Sequence, residues 1–451
     1  MGKYFGTDGF RGEAGVTLTA DHAYQIGRFL GCRFSENGKQ TARVAVGKDT
    51  RRSSYMLEYA ITAGLAASGA DVYLLHVTTT PSVSYVVASE GFDCGIMISA
   101  SHNPYSDNGI KLVNRFGEKM DDEMLEQIEK YLDLSLERKE ELPFASGEHV
   151  GRVIDHTAGR NRYLGYLISL SRHSFRSYRI GLDCANGSAW MLAKAVFDAL
   201  GAYTEVIHAS PDGLNVNRGA GSTHIESLAE LVRERRLDAG FAFDGDADRC
   251  LAVDENGKIV NGDHILYILA QHLRAQNELA NQTVVTTVMS NLGLYRALDA
   301  EGIAYEQTTV GDRFIWENMK ANHHSLGGEQ SGHVIVSKYA TTGDGILTAI
   351  LLMEAMIESR KPLSSLASPV EMLPQVTQNV RVRNKALSKQ HPRVVEAVQK
   401  VRRELGENGR ILLRESGTEP VLRVMVEAAD ETTCQRLSCA VADVIRDIEK
   451  Q

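Results

Sequence analysis

No CxxC pair, no apolar run long enough to span a membrane and no block of lysine and arginine occur in these 451 residues. Each absence closes off a class of function. The six cysteines, at 32, 94, 184, 250, 434 and 439, stand singly among apolar or small residues, which favours buried reduced thiols over disulfides and fits a reducing cytoplasm. Charge is spread as 49 basic against 58 acidic residues, a formal -9, with no nucleic-acid footprint. The start, MGKYFG, has no apolar signal core, and Gly6 stands where myristoylation needs Ser or Thr, so nothing marks the chain for export or for a membrane. Low-complexity tracts, sequence repeats and the G-x-S-x-G elbow of serine hydrolases are also missing.

What is present is enough apolar residue, 43%, for roughly three or four ordinary domains. Helices expected from Thr19 and over about 53–69 alternate with strands at 43–46 and 72–77, the signature of a parallel α/β sheet. The run 96–98 and the stretch 109–113 extend that unit, the latter carrying Lys111 on the face opposite Ile110 and Leu112. An acidic helix over about 121–141 and the polar ELPFASGEH lead to a break near residue 150. A second α/β unit has strands ending at RIGLDC, 202–207 and 237–243, with helices over 157–170 and 225–235. Its Ala185-Asn-Gly187 turn resembles a phosphate-binding loop only weakly. A third unit follows, with a strand over 284–289 and helices over 263–275, from Leu292, from the Val310-Gly-Asp-Arg313 turn, and over 344–359. After PLSSLASP comes an α+β part with helices over 393–405 and 431–450 and strands RILLR and VLRVMVE. The expected domains are therefore 1–150, 151–256, 257–368 and 369–451.

Four stretches carry chemistry. In GIMISASHNPYSDNGIK a buried strand delivers a polar loop that presents Ser101, a hydroxyl accessible among small neighbours. Asp244-Gly-Asp-Ala-Asp-Arg249 sets three carboxylates at alternate positions, and keeping all three ionised requires a cation, with magnesium the natural choice. An EF-hand is excluded because Arg249 holds the position that needs glycine and the flanks read as strands. GGEQSGH holds Glu329, able to accept two sugar hydroxyls, with Ser331 and His333 beside it. Arg414 and Arg423 bracket Ser416, Gly417 and Thr418, the parts of a phosphate clamp. Taken singly, Arg11 in YFGTDGFRG reads as surface and His333 as structural.

In order, YFGTDGFRG, ISASHNP, FDGDADR, GEQSGH and RESGTEPVLR resemble the α-D-phosphohexomutases along the whole chain. The resemblance implies three successive α/β domains of similar architecture plus a C-terminal α+β domain around a central active-site cleft. It implies an isomerase, an intramolecular phosphotransferase, in which Ser101 is the phosphorylated serine and one magnesium ion is held by its phosphate with Asp244, Asp246 and Asp248. Arg11 and Lys111 would assist proton transfer and charge stabilisation, with His333 near the sugar. Glu329 and Ser331 would hold sugar hydroxyls, and Arg414, Ser416, Gly417, Thr418 and Arg423 the phosphate that is not reacting. A bound 1,6-bisphosphate would turn around between two transfers, which is why two phosphate sites are required.

Members acting on glucose or mannose phosphates tend to carry GEMSGH and SNTEP where this chain has Gln330 and Gly417. Those differences point to glucosamine phosphate and amino-sugar nucleotide synthesis, with the Gln330 loop expected to favour the glucosamine outline. The alternatives are a glucose or mannose phosphate mutase and, from another class, a non-catalytic sugar-phosphate-binding protein. The expected partner is a small hexosamine phosphate, with no nucleic acid and no membrane, and a homodimer is compatible with the sequence.

Overall fold

A computed structural model describes residues 2–35, 41–134, 142–416 and 420–450. It forms two units, Met1–Met289 with Ile303–Ser368, and Ser290–Gly302 with Pro369–Gln451. In the first unit, a seven-stranded sheet has the order Phe5–Gly6, Gly9–Glu13, Asp107–Asn114, Cys94–Ile98, Arg43–Lys48, Asp71–Val77, Val153–Asp155. Along its central strands Val44, Val46, Ile96 and Ile98 face helices Ala20–Phe34 and Arg52–Ala67, while Ala45 and Met97 face Thr80–Glu90. Both faces are buried, which is why these strands read as continuous apolar runs. Helix Thr80–Glu90 has no counterpart in the sequence reading, because its β-branched residues carry weak helical preference. Its boundaries come from local chemistry: the Thr79 hydroxyl accepts the Ser82 N–H at 3.2 Å, Pro81 lies in the first turn, and Gly91 ends it at φ +67°. Val153–Asp155 lies past the break expected near residue 150 and still pairs with Asp71–Val77.

The sheet is mixed rather than parallel. Asp107–Asn114 runs antiparallel to Cys94–Ile98, because residues 99–106 are too few to cross over a face. The same device recurs twice. In the second sheet Ala239–Phe243 lies parallel to Arg179–Asp183 and antiparallel to Cys250–Asp254. In the third, Leu326–Gly328 lies parallel to Thr283–Thr287 and antiparallel to Val334–Val336. Each sheet thus ends a parallel strand in a hairpin, and the three hairpin loops carry Ser101, the three aspartates, and Glu329.

The second unit is a three-stranded antiparallel sheet in the order Gln375–Arg381, Val421–Glu427, Arg410–Glu415, packed by helices Pro392–Leu405 and Glu431–Glu449. Its edge strand QVTQNVR is too polar to stand out in the sequence. Helix Leu292–Ala300 belongs to this unit, where the Leu292 N–H donates to Glu427 Oε2 at 3.0 Å. Among the described residues the cysteines are all free, five buried and Cys439 partly so, and no helix is long and apolar enough to cross a membrane.

Candidate active site

Ser101 is not displayed on the surface as the sequence implied. It is 1% exposed and its backbone is left-handed, φ +51°, a conformation a serine holds only under constraint from its surroundings. That constraint is visible. The Ser101 N–H donates to Ser99 Oγ at 2.9 Å, and its carbonyl accepts from Arg51 Nη2 at 3.1 Å and Asn217 Nδ2 at 2.8 Å. The same two side chains reach the Asn103 carbonyl, at 2.6 and 3.1 Å. Arg51 is itself fully buried and paired with Asp49. The aspartate loop then covers the serine: a Cβ on Gly245 would lie 2.5 Å from the Ser101 carbonyl oxygen, so only glycine fits there.

Through this contact Ser101 Oγ donates to Asp244 Oδ2 at 2.5 Å. His102 Nδ1 lies 3.2 Å from the same hydroxyl, and burial, then the Arg249 and Arg11 charges, push the His102 imidazole down to about 4. Asp244, Asp246 and Asp248 are all buried, and each brings an oxygen within 4.8 Å of the others. Burial and the charges of Asp248 and Asp246 drive Asp244 well above the usual carboxylate range. Asp248 goes the other way: burial opposes its charge, but Lys111, His333 and Arg249 hold it well below. Oδ1 of Asp246 and Oδ1 of Asp248 are buried with no hydrogen-bond partner. Hard oxygen ligands that converge with two orphaned atoms fit a divalent cation such as magnesium.

Neighbouring segments brace the aspartate loop. Ala247 is left-handed, φ +57°, the Ser188 N–H donates to the Gly245 carbonyl at 2.8 Å, and the Thr80 N–H to the Asp246 carbonyl at 3.0 Å. The Thr80 hydroxyl also binds Asp246 Oδ2. The turn at Ala185-Asn-Gly187 belongs to this bracing. Its three N–H groups go to Asp183 Oδ1, the His208 carbonyl and the Cys184 carbonyl, so they are spent inside the protein rather than offered to a phosphate.

Lys111, 5% exposed, reaches Asp246 Oδ2 at 2.8 Å, Asp248 Oδ2 at 3.1 Å and Asp8 Oδ2 at 3.0 Å. Burial opposes its charge, yet the three carboxylates raise it well above the usual lysine value, so it stays cationic. Arg11 pairs with Asp8 and lies 3.5 Å from Asn103 Oδ1, placed by the register that sets it opposite Gly109. His333 is buried, with Nδ1 3.8 Å from Asp248 Oδ2. Its Nε2 faces groups of opposite demand, the Gly343 N–H at 3.0 Å and Asp312 Oδ2 at 3.4 Å, so the ring can hold or release a proton there. Glu329 Oε1 accepts the Gly311 N–H at 3.1 Å, and Ser331 Oγ donates to Glu329 Oε2 at 3.3 Å. Gln330, partly exposed, donates its amide to the buried Asp263 at 3.1 Å.

In the second unit Arg414 and Arg423 are direct cross-strand partners. Like charges so placed repel, and burial followed by Arg423 pulls the Arg414 guanidinium down. An anion between them would relieve both. Arg423 Nη2 lies 3.5 Å from Ser416 Oγ, and Lys385 Nζ donates to the Ser416 carbonyl at 2.7 Å. Gly417 and Thr418 lie outside the described residues.

Models of the phosphoglucomutase/phosphomannomutase domains match in sequence order: α/β/α domain I over 2–138, domain II over 161–257, domain III over 261–372 and the C-terminal domain over 378–444. The chain belongs to the phosphoglucomutase/phosphomannomutase family. It is 60% identical over 447 residues to the phosphoglucosamine mutase of Lachnospira eligens, covering 99% of each chain. To that of Bacillus subtilis it is 46% identical over 446 residues, again covering 99% of each. Among solved structures, a phosphoglucomutase/phosphomannomutase family protein from Burkholderia thailandensis superposes with a TM-score of 0.77 at 23% identity, over 99% of this chain and 98% of that one. Aspergillus fumigatus N-acetylphosphoglucosamine mutase, in complex with GlcNAc-6P and magnesium, gives 0.70 at 17% identity, over 99% and 96%. Those two likenesses are of fold. Several residues that sequence reasoning passed over touch the candidate site residues or brace their contacts. Asp8 and Asp312 lie inside the motifs YFGTDGFRG and VGDR, which could have flagged them. Thr80, Arg51, Asn217, Lys119 and Lys385 carry no local signal.

Proposed function

We propose that this chain is a phosphoglucosamine mutase, interconverting glucosamine 6-phosphate and glucosamine 1-phosphate through a phosphorylated Ser101 and a bound 1,6-bisphosphate. The reading rests above all on the Ser101 hydroxyl lying 2.5 Å from Asp244 beside two orphaned carboxylate oxygens. Its full-length relatives of 46–60% identity named as phosphoglucosamine mutases support the choice of sugar. One magnesium ion would be held by Asp244, Asp246, Asp248 and the Ser101 phosphate, supplying neutralisation of the phosphoryl oxygens.

The chain's own residues do the rest. Lys111, fixed as a cation, stabilises charge on the phosphoryl group rather than acting as a base. As the Ser101 Oγ–P bond breaks, the receiving sugar oxygen bonds to phosphorus and passes its proton to His333, while Lys111 and Arg11 remain cationic and stabilise charge; Ser101 Oγ ends as the hydroxyl, so one phosphoryl group has exchanged for one proton. Glu329 and Ser331 hold hydroxyls, and Arg414, Ser416, Gly417, Thr418 and Arg423 grip the phosphate left in place. After the intermediate turns around, the other phosphoryl group returns to Ser101. The product would supply amino-sugar nucleotide synthesis in the cytoplasm, where free buried thiols persist. A homodimer would show as a doubled mass in light scattering.

Comparing kcat/KM for glucosamine, glucose and mannose 6-phosphates tests the reading. The glucosamine ester should lead, with glucose turned over slowly. If glucose or mannose 6-phosphate leads, the substrate assignment falls; if none is turned over and intact mass never shows an added phosphoryl group, so does catalysis by Ser101.

A further inference from the structure

The lysine nearest the three aspartates is pulled in two directions. Asp246 and Asp248 hold its ammonium through their Oδ2 atoms, leaving the Oδ1 atoms without a hydrogen-bond partner, and Asp8 holds it from another side. Asp8 is itself held from behind: its other oxygen lies 2.8 Å from Lys119 Nζ, which also donates to the Thr7 carbonyl at 3.1 Å. Lys119 in turn lies 2.6 Å from Asp312 Oδ2, and Asp312 is the residue that faces His333 Nε2. The chain Asp248, Lys111, Asp8, Lys119, Asp312 alternates in charge, and His333 bridges its two ends.

We propose that Lys119 and Asp312 are positioning residues for phosphoryl transfer: their ion pair keeps Asp8 and His333 in place, so that Lys111 stays on the Oδ2 atoms of Asp246 and Asp248 and leaves their Oδ1 atoms open to a cation. The proposal rests on the mutase reading. Among the described contacts neither residue touches Ser101 or the three aspartates, so each acts through another side chain. A simple strap between residues 118–122 and helix Asp312–Asn322 is already supplied by other pairs, Arg313 with Asp122 and Lys320 with Glu118. Each of those pairs has one exposed member, Asp122 or Lys320, and among the described contacts neither pair touches Lys111, Asp8 or His333. The Lys119 to Asp312 pair is the part of this seam that reaches the lysine.

The test compares the parent with Lys119→Met, Asp312→Asn, the double variant and Lys320→Met, measuring kcat and KM on glucosamine 6-phosphate and thermal midpoints with and without MgCl2. Each single variant should lose kcat by about 10- to 100-fold, as a misplaced catalytic group does, with KM little changed. The rise in midpoint on adding MgCl2 should shrink, because the Lys111 ammonium, no longer anchored through Asp8, then also reaches the Oδ1 atoms a cation would use. Lys320→Met should leave kcat and the magnesium response as in the parent. Removing both charges together leaves neither of them unpaired, so the double variant should regain midpoint lost by the singles yet keep the low kcat. Should a single variant not fold, the double carries the same test. Recovery of kcat together with midpoint in the double, or a parental magnesium response in all variants, overturns the proposal. A parent inactive on every hexose phosphate would sink the mutase reading, while the magnesium response would still judge the positioning.

Discussion

Replacing Arg51 by lysine keeps the charge and removes the fork. The Arg51 guanidinium pairs with Asp49 through Nη1 and spans the Ser101 and Asn103 carbonyls through Nη2. An ammonium on a shorter reach can satisfy Asp49 but not also both carbonyls. Charge-assisted hydrogen bonds of this kind are each worth about 1.5–3 kcal/mol. Asn217 still donates to both carbonyls, so neither is left bare, and the low end applies. The expected loss for the pair is therefore about 3 kcal/mol, twice that low end. In a unit this large that is about 4 °C in the calorimetric midpoint. Catalysis should suffer more than stability. Without the fork the left-handed Ser101 can relax, and displacement by about 1 Å costs on the order of 100-fold in kcat. Calorimetry and a coupled assay on the same preparation read both. An unchanged midpoint with kcat within about threefold of the parent would refute the idea that Arg51 holds the serine in its working conformation.

Ser101→Ala should abolish turnover and the phosphorylated mass while leaving the fold intact; activity within about tenfold of the parent would end the phosphoserine assignment. Chelation should silence the enzyme and lower its thermal midpoint, and MgCl2 should restore both; full activity in metal-free buffer would remove the metal site. Gly245→Ala should cost activity heavily, since its Cβ would meet the Ser101 carbonyl at 2.5 Å, and an unimpaired variant would show that the two loops are not in contact. Burial raises Asp344 to about 6, although it caps helix Gly345–Ser359 and accepts the Tyr163 hydroxyl at 2.7 Å. The folded state therefore holds that proton more tightly than the unfolded chain. Stability falls as pH rises from about 4 to about 6 and stays lowered above, by about 3 kcal/mol. Asp344→Asn should flatten that slope and melt higher at pH 7 than the parent; an unchanged pH profile would contradict it.

What was legible in the sequence was what lies close together along it. Asp244, Asp246 and Asp248 announce a cation because three acids share six residues, and Ser101 stands out at the end of an apolar strand. The burial of Ser101 was not legible, because the residues that cover and grip it, Gly245, Asn217 and Arg51, come from other segments and look ordinary there. The same holds for Thr80 on Asp246 and Lys119 on Asp312, ion pairs and hydrogen bonds between residues more than a hundred positions apart. Strand positions were readable from apolar runs, but their direction was not, since direction depends on whether a connection is long enough to cross over. The contact of Gln330 with the buried Asp263, 67 positions earlier in the chain, was likewise not legible.

The grip on Ser101 has a consequence for how the protein comes into being. Synthesis proceeds from the N-terminus, and domains tend to fold as they emerge. Arg51 is available early, but Asn217 and Gly245 leave the ribosome more than a hundred residues after the serine. A nascent chain can therefore complete the seven-stranded sheet while its serine loop lacks half of its holders. The hydroxyl gains its final orientation only when Asp244 arrives with the loop that covers it. The proposed nucleophile is thus assembled late, and it is not set before the carboxylates that would share its metal are already in the chain.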